Sequence, residues 1–400
     1  LTPERVDARP VRYWDIPYPE RPEKLTDIEI DRQFSDLFLD SVKRRLIADV
    51  PVGILLSGGL DSSSVAAAVA ETHNARLNSF SVSFEGASQI DETPYARQVA
   101  QHVGTDHYEI AINERQFVDF LPDFVRYTDE PNADLASVPL YYVSHLARQH
   151  VKVVLSGEGA DEILAGYDFD YHFGIWQRRQ AWQRLPVWLR RGAFKGAAAR
   201  LMGGRPGQDG FDETPYDMRL WETPRNMTYH RNYQQKRELF LGETPYSDSA
   251  GILRSEVQRV RSGDPLNQWL YLFCQSWLVE DLLMKADRMS MANSLELRTP
   301  FLDYRLVEWA ARAPTAAKVG PGPDGALETK RALRRFARSR LPVEIIERSK
   351  MGFPVPLYEW VADGLKPWAH DMLDSNDTQV TTWLDPSAVR QELSAGTSQA

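Results

Sequence analysis

Residues 52–64, VGILLSGGLDSSS, hold the densest grouping of chemically useful side chains in the 400-residue sequence. A short apolar run from Val52 to Leu56 leads into Ser57-Gly58-Gly59-Leu60-Asp61-Ser62, and a helical pattern follows from about Ser62. Glycines at a strand-to-helix turn let the backbone approach a ligand without a Cβ in the way. The first turn of the helix adds free N–H groups and the positive end of its dipole. With the hydroxyls of Ser57, Ser62 and Ser63, this segment is an anion cradle. It lacks the lysine and the spacing of a G-x-x-x-x-G-K-S/T phosphate loop, so ordinary γ-phosphate transfer is not its obvious use. An aspartate inside such a cradle repels phosphate unless a cation intervenes. Asp61 therefore implies Mg²⁺ between carboxylate and phosphate oxygens. The plainer alternative is a glycine turn whose Asp and Ser cap the helix.

A second constellation, VVLSGEGADE at residues 153–162, repeats the pattern of buried run, glycine-containing turn and helix start. Glu158, Asp161 and Glu162 crowd one side of that turn. Their repulsion makes sense if one binds metal and another accepts a proton with an adjusted pKa, although acids in a first helical turn also complement the dipole. The elements that must position both turns are legible as an alternation. Apolar runs at 52–56, 79–84, 107–112 and 151–155 are interleaved with helical patterns at 62–71, 92–103, 114–127 and 138–149. Such alternation predicts βαβ crossovers and a parallel sheet, whose carboxyl edge is where open α/β folds bind ligands. An amphipathic helix over 26–47, with Ile30, Phe34, Leu37, Phe38, Val42 and Leu46 on one face, precedes the sheet.

The α/β domain is thus expected over residues 26–168, followed by a mainly helical region over 169–400 with no strand-like run. Residues 269–291 read as one helix, apolar nearly all round, with Cys274 as a core residue. Residues 1–22 contain five prolines and read as an extended strip, which makes residues 1–25 a linker. Loops are expected at 203–210 and 320–325. The run from Arg178 to Arg205, with eight basic and no acidic residues, reads as a solvated face. A net charge of −9, from 47 Lys and Arg against 56 Asp and Glu, argues against a dedicated nucleic-acid partner. Apolar stretches stop far short of the roughly 18 residues that a membrane-spanning helix needs. A single cysteine fits a reducing cytoplasm.

The two turns, with residues 79–84 between them and with 283–303 (LMKADRMSMANSLELRTPFLD) and 348–357 (RSKMGFPVPL) beyond, resemble the synthetase domain of the glutamine-dependent asparagine synthetase family. That domain belongs to the ATP-pyrophosphatase class of adenine-nucleotide-binding folds, and the resemblance spans about residues 12–370. It implies adenylation of a carboxylate, then attack of ammonia to give an amide, AMP and pyrophosphate, with ATP and Mg²⁺. By position, Ser57, Gly58, Gly59, Asp61 and Ser62 match the pyrophosphate loop, with Asp61 on the metal. Leu55, Val82, Ser156 and Gly157 match positions that hold adenosine, and Asp161 matches a second metal-side acid. Glu158 matches the base toward the incoming nitrogen, and Lys350 the lysine that stabilises the α-phosphate and tetrahedral charge. Residues 283–303 match a scaffold under the site, with Arg298 and Asp303 as a buried pair. Leu135 stands about where better-known asparagine synthetases carry an arginine near aspartate, so the acceptor could be another carboxylate. Related members close β-lactam rings, cyclise lasso peptides or amidate sugar acids. The resemblance also implies a glutaminase domain ahead of the linker, absent from this chain along with its nucleophilic cysteine. Expected partners are small molecules, with neither nucleic acid nor membrane, and a homodimer as an option. A tRNA-modifying pyrophosphatase would want a basic face, and a non-catalytic nucleotide sensor would not need Asp61, Glu158, Asp161 and Lys350.

Overall fold

The computed structural model describes residues 11–167 apart from 74–75, 87–90, 131 and 133, and residues 264–348 apart from 323–324 and 326. Shorter stretches are described between 182 and 260 and between 355 and 396. The loop expected at 203–210 and about half of the basic segment 178–205 lie outside the described residues.

Helix α1 (Asp27–Arg45) starts at a capping box: Thr26 Oγ1 accepts from the Glu29 N–H, and the Glu29 carboxylate accepts from the Thr26 N–H at 2.8 Å. Both groups would otherwise be orphans of the first turn. Its stripe of Ile30, Phe34, Phe38 and Val42 is buried as the spacing predicts, with the Phe38 ring stacked on Phe301 at 4.6 Å. Each fully buried phenylalanine contributes up to about 3 kcal/mol of transfer free energy.

The chain then builds β1 (Val52–Leu55), α2 (Leu60–Thr72), β2 (Asn78–Phe84), α3 (Thr93–Val103), β3 (Asp106–Ile112), α4 (Glu114–Thr128), α5 (Ser137–Arg148), β4 (Val153–Leu155) and α6 (Ala160–Leu164). With β5 (Glu296–Arg298) from later in the chain, the strands form one parallel sheet in the order β3-β2-β1-β4-β5. Its β1 and β4 are nearly continuous buried apolar runs, as strands covered on both faces must be. Helices α1, α2 and α3 share one apolar core with the helices at Pro265–Gln275, Tyr304–Arg312 and Arg331–Ala337. Helices α4 and α5 enclose a second core on aromatic side chains. Because β2 and β4 flank β1 on opposite sides, the chain reverses its direction of travel across the sheet there. Such a switch point opens a crevice between the loops that follow β1 and β4.

Four expectations are corrected. The fifth strand, β5 (Glu296–Arg298), pairs parallel with β4 and comes from the stretch that reads as helical. Three residues are too few for a period, and the strand is defined by its neighbour. Further on, Val319–Pro321 and Leu327–Thr329 form an antiparallel pair around the glycine-rich 320–325 loop. The helix expected over 269–291 is broken: Pro265–Gln275 ends at Ser276, whose φ and ψ are −125° and −80°. A π-helical turn over Leu278–Leu283 follows, then a helix over Met284–Met291. Asp281 in this turn accepts from Asn132 Nδ2 at 3.0 Å, and π turns are frequent at functional sites. Lastly, Arg298 does not pair with Asp303. Arg298 bonds Glu296 and the carbonyls of Arg45 and Ile47, while Asp303 takes Arg45 and Arg305, each at 2.9 Å.

The extended strip over residues 11–22 is irregular, yet it packs. Ile16 and Tyr18 are buried, and Asp15 accepts from the Tyr271 hydroxyl and Gln275 of helix Pro265–Gln275. Among the described residues, no helix is long and apolar enough to cross a membrane.

Candidate active site

The loop between β1 and α2 is closed on itself by its own serines. Ser57 and Ser62 hydroxyls lie 3.0 Å apart, the Gly59 N–H donates to Ser57 Oγ at 3.3 Å, and the Ser57 N–H donates to Ser62 Oγ at 3.2 Å. Gly58 sits at φ +76°, and a Cβ there would fall 2.6 Å from the backbone nitrogen of Ala96. Its glycine identity is thus required by close approach to α3, and it does not line the cavity; nor does Ser63, whose side chain is buried, so the cradle's hydroxyls at the cavity are those of Ser57 and Ser62. At the second turn a Cβ on Gly157 would fall 2.8 Å from the Ser62 nitrogen, so the two loops abut directly. The Ser156 N–H donates to the Arg298 carbonyl at 3.0 Å, which ties that turn to β5.

Together they wall a cavity of about 280 Å³. Leu55, Ser57, Gly59, Asp61, Ser62, Val82, Ser156, Gly157, Glu158 and Asp161 all line it, which brings ten of the expected residues to one place. Lys350 lies outside the described residues. Among the described residues, Arg348 pairs with Glu92 at 2.7 Å and lies 4.2 Å over the Tyr95 ring at the start of α3. Burial pushes the Glu92 carboxyl up to about 7 against the pull of Arg348.

Sequence reasoning missed the cations that line the cavity, Lys285, Lys330, Arg334 and Arg348. Lys330 Nζ lies 2.6 and 2.7 Å from the two oxygens of Asp61 and 2.7 Å from Asp161 Oδ1, so both expected metal-side acids converge on one buried ammonium. Lys285 in helix Met284–Met291 also lines the cavity and pairs with Asp134. Burial alone would favour its neutral form, but Asp134, with Glu158 and Asp281 behind it, keeps the ammonium charged. Asp281 in turn is raised to about 6 by burial and by Asp134. The crowding expected of the three acids in the second turn is thereby resolved in part: Asp161 meets Lys330, and Glu162 accepts from the Tyr167 hydroxyl. Neither lysine carries a local signal. Lys330 merely opens a helix after a turn, and Lys285 sits in a segment that reads as scaffold.

Among the described residues, no group of three His, Cys, Asp or Glu side chains is spaced to hold a metal ion. Asp61 and Asp161 nevertheless converge on one cation position, marked by the Lys330 ammonium. Two carboxylates fit a Mg²⁺ whose remaining ligands are water and phosphate oxygens, the usual way this ion is held beside a nucleotide.

Strand order, switch point and cradle place the chain in the ATP-pyrophosphatase class of α/β folds. Residues 33–400 match the model of the asparagine synthase family, and the chain belongs to that family. It is 38% identical over 359 residues to the protein named "Putative asparagine synthetase (glutamine-hydrolyzing)" of Mycobacterium tuberculosis strain H37Rv, covering 88% of this chain and 52% of that relative. To asparagine synthetase (glutamine-hydrolyzing) 1 of Bacillus subtilis it is 32% identical over 362 residues, covering 90% and 55%. To the amidase chyE of Penicillium rubens it is 28% identical over 425 aligned positions, covering 98% and 62%. The chain spans about half the length of the asparagine synthetases it matches.

Proposed function

We propose that this chain carries out ATP-dependent amide formation. A carboxylate, best read as the side chain of aspartate, attacks the α-phosphorus of ATP and displaces pyrophosphate. Ammonia derived from glutamine then attacks the acyl-adenylate, with AMP leaving, to give asparagine. The observation that carries this reading is the meeting of the cradle, Asp61, Asp161 and Glu158 in one cavity, in a chain of this family. The Gly59 and Leu60 end of the cradle and the start of α2 would receive the phosphates, with adenosine against Leu55, Val82 and Ser156. Asp61 and Asp161 would hold Mg²⁺, which neutralises phosphate charge. Glu158 would take a proton from the attacking nitrogen, and Lys350 would stabilise the charge that develops on the α-phosphate and the tetrahedral carbon. A glutaminase domain outside this chain would supply the ammonia, in a cytoplasmic setting suited to a lone buried thiol.

A second reading, another carboxylate as acceptor, is favoured by Leu135, which packs among the aromatic side chains of α4 and α5 where the resemblance leads one to expect an arginine. It is also consistent with a relative named as an amidase. One experiment addresses both. Carboxylate-dependent ATP–pyrophosphate exchange should occur with aspartate and vanish in Asp61→Asn. Exchange with a different acid and none with aspartate would move the function to the second reading, and no dependence on Asp61 would remove the metal role.

A further inference from the structure

The cation between Asp61 and Asp161 is a protein group, and the fold goes to some length to put it there. The Lys330 side chain is 5% exposed. Its backbone lies in the left-handed region, at φ 51° and ψ 36°, which a lysine rarely adopts, and its N–H donates to the Leu164 carbonyl at 3.2 Å. Gly166 clears the space: a Cβ there would fall 1.8 Å from Lys330 Cε and 1.9 Å from Asp161 Oδ1. A lysine that merely neutralised one surface acid would require none of this. Backbone strain held by its surroundings at a site is a mark of function.

We propose that Lys330 is the resident cation of the phosphate site. It occupies the position between Asp61 and Asp161 that a divalent cation takes when nucleotide arrives, and its ammonium then passes to phosphate oxygens. Divalent ion and lysine therefore compete for one pair of carboxylates, and metal binds only together with nucleotide. This rests on the nucleotide reading above, but its test can fail separately.

The test is thermal unfolding during a Mg²⁺ titration, with and without ATP. The full chain is compared with Lys330→Met and with Lys330→Met/Asp161→Asn. The unsubstituted protein should be unmoved by Mg²⁺ alone and stabilised by Mg²⁺ with ATP. Lys330→Met should gain a saturable Mg²⁺ response without nucleotide, with apparent affinity at least about tenfold tighter, and should bind ATP more weakly. The double variant should lose the new metal response. A lysine with a purely structural role would weaken both ligands together, so opposite movements of metal and nucleotide affinity are the signature. Equal metal responses in the unsubstituted protein and Lys330→Met, whether both bind or neither does, would overturn the proposal. Should Lys330→Met not fold, Lys330→Gln, which keeps donors for the carboxylates while removing the charge, carries the same test. Failure of ATP to stabilise any of these proteins would instead sink the nucleotide reading and leave the metal comparison standing.

Discussion

Glu158 illustrates how a side chain's task is set by its neighbours. Its backbone N–H donates to Ser156 Oγ at 3.3 Å, which fixes the turn, and its charge is felt by both Lys285 and Tyr167. If it is the base toward the incoming nitrogen, Glu158→Gln should keep most ATP affinity and ATP–pyrophosphate exchange, while amide formation falls by ~10²–10⁴-fold. Nucleotide titration and single-turnover product assays separate the two, and a variant that simply stops binding ATP would return Glu158 to a structural role. At this scale the sequence discloses what is local. Ser57, Gly59, Asp61, Ser62, Ser156, Gly157, Glu158 and Asp161 sit in two short turns whose types and order announce them, and the structure places them in one cavity. Lys330 is invisible because it meets Asp61 across 269 positions of sequence, and only the assembled fold creates that pair.

At the scale of elements, the join between α1, β5 and helix Tyr304–Arg312 adds a cluster of charges to its apolar packing. Asp303 caps that helix through the Arg305 N–H at 3.0 Å and receives Arg45 and Arg305 guanidinium groups. Burial alone would raise its carboxyl, but the bonds from Arg305 and Arg45 outweigh that and hold it at about 2. A carboxyl depressed below its unfolded value of 3.8 stabilises the fold above that pH and loses the contribution as pH falls toward about 2. Asp303→Asn should therefore cost on the order of 1–2 kcal/mol at neutral pH, after allowance for solvent screening. The gap between variant and parent should close through that acid window in urea titrations. A gap that stays constant down to pH 2 would show that the pairs contribute nothing through charge. The sequence foresaw an Arg–Asp pair here but chose the wrong arginine, since Arg298, Arg45 and Arg305 are equivalent until the chain is folded. Helices α1 to α5 were legible from their periods and the first four strands from short apolar runs alternating with them, whereas β5 and the break at Ser276 are imposed from outside.

Across the whole molecule, a central helix carries the single thiol far from solvent. Burial pushes the Cys274 thiol far up, and its Sγ faces the Glu162 carbonyl at 3.8 Å within the core that joins both halves of the chain. It should resist alkylation at neutral pH in the native state and react at once in denaturant, as mass spectrometry of iodoacetamide-treated protein would reveal. Rapid native labelling would mean that this core opens.

The late origin of β5 has a consequence for synthesis on the ribosome. Strand β4 ends at Leu155, yet the strand that covers its free edge begins at Glu296. At ordinary translation rates the intervening chain takes on the order of ten seconds to appear. Through that interval Val153 to Leu155, wholly buried in the finished protein, present an unpaired hydrophobic edge, the kind of surface that recruits other strands. A chain released after residue 168 should accordingly aggregate where the full chain stays dispersed, as light scattering after refolding would register, whereas a monodisperse fragment with native-like circular dichroism would show that the sheet can do without its last strand. Until Glu296–Arg298 emerges, the nascent chain would depend on that edge being kept from other strands.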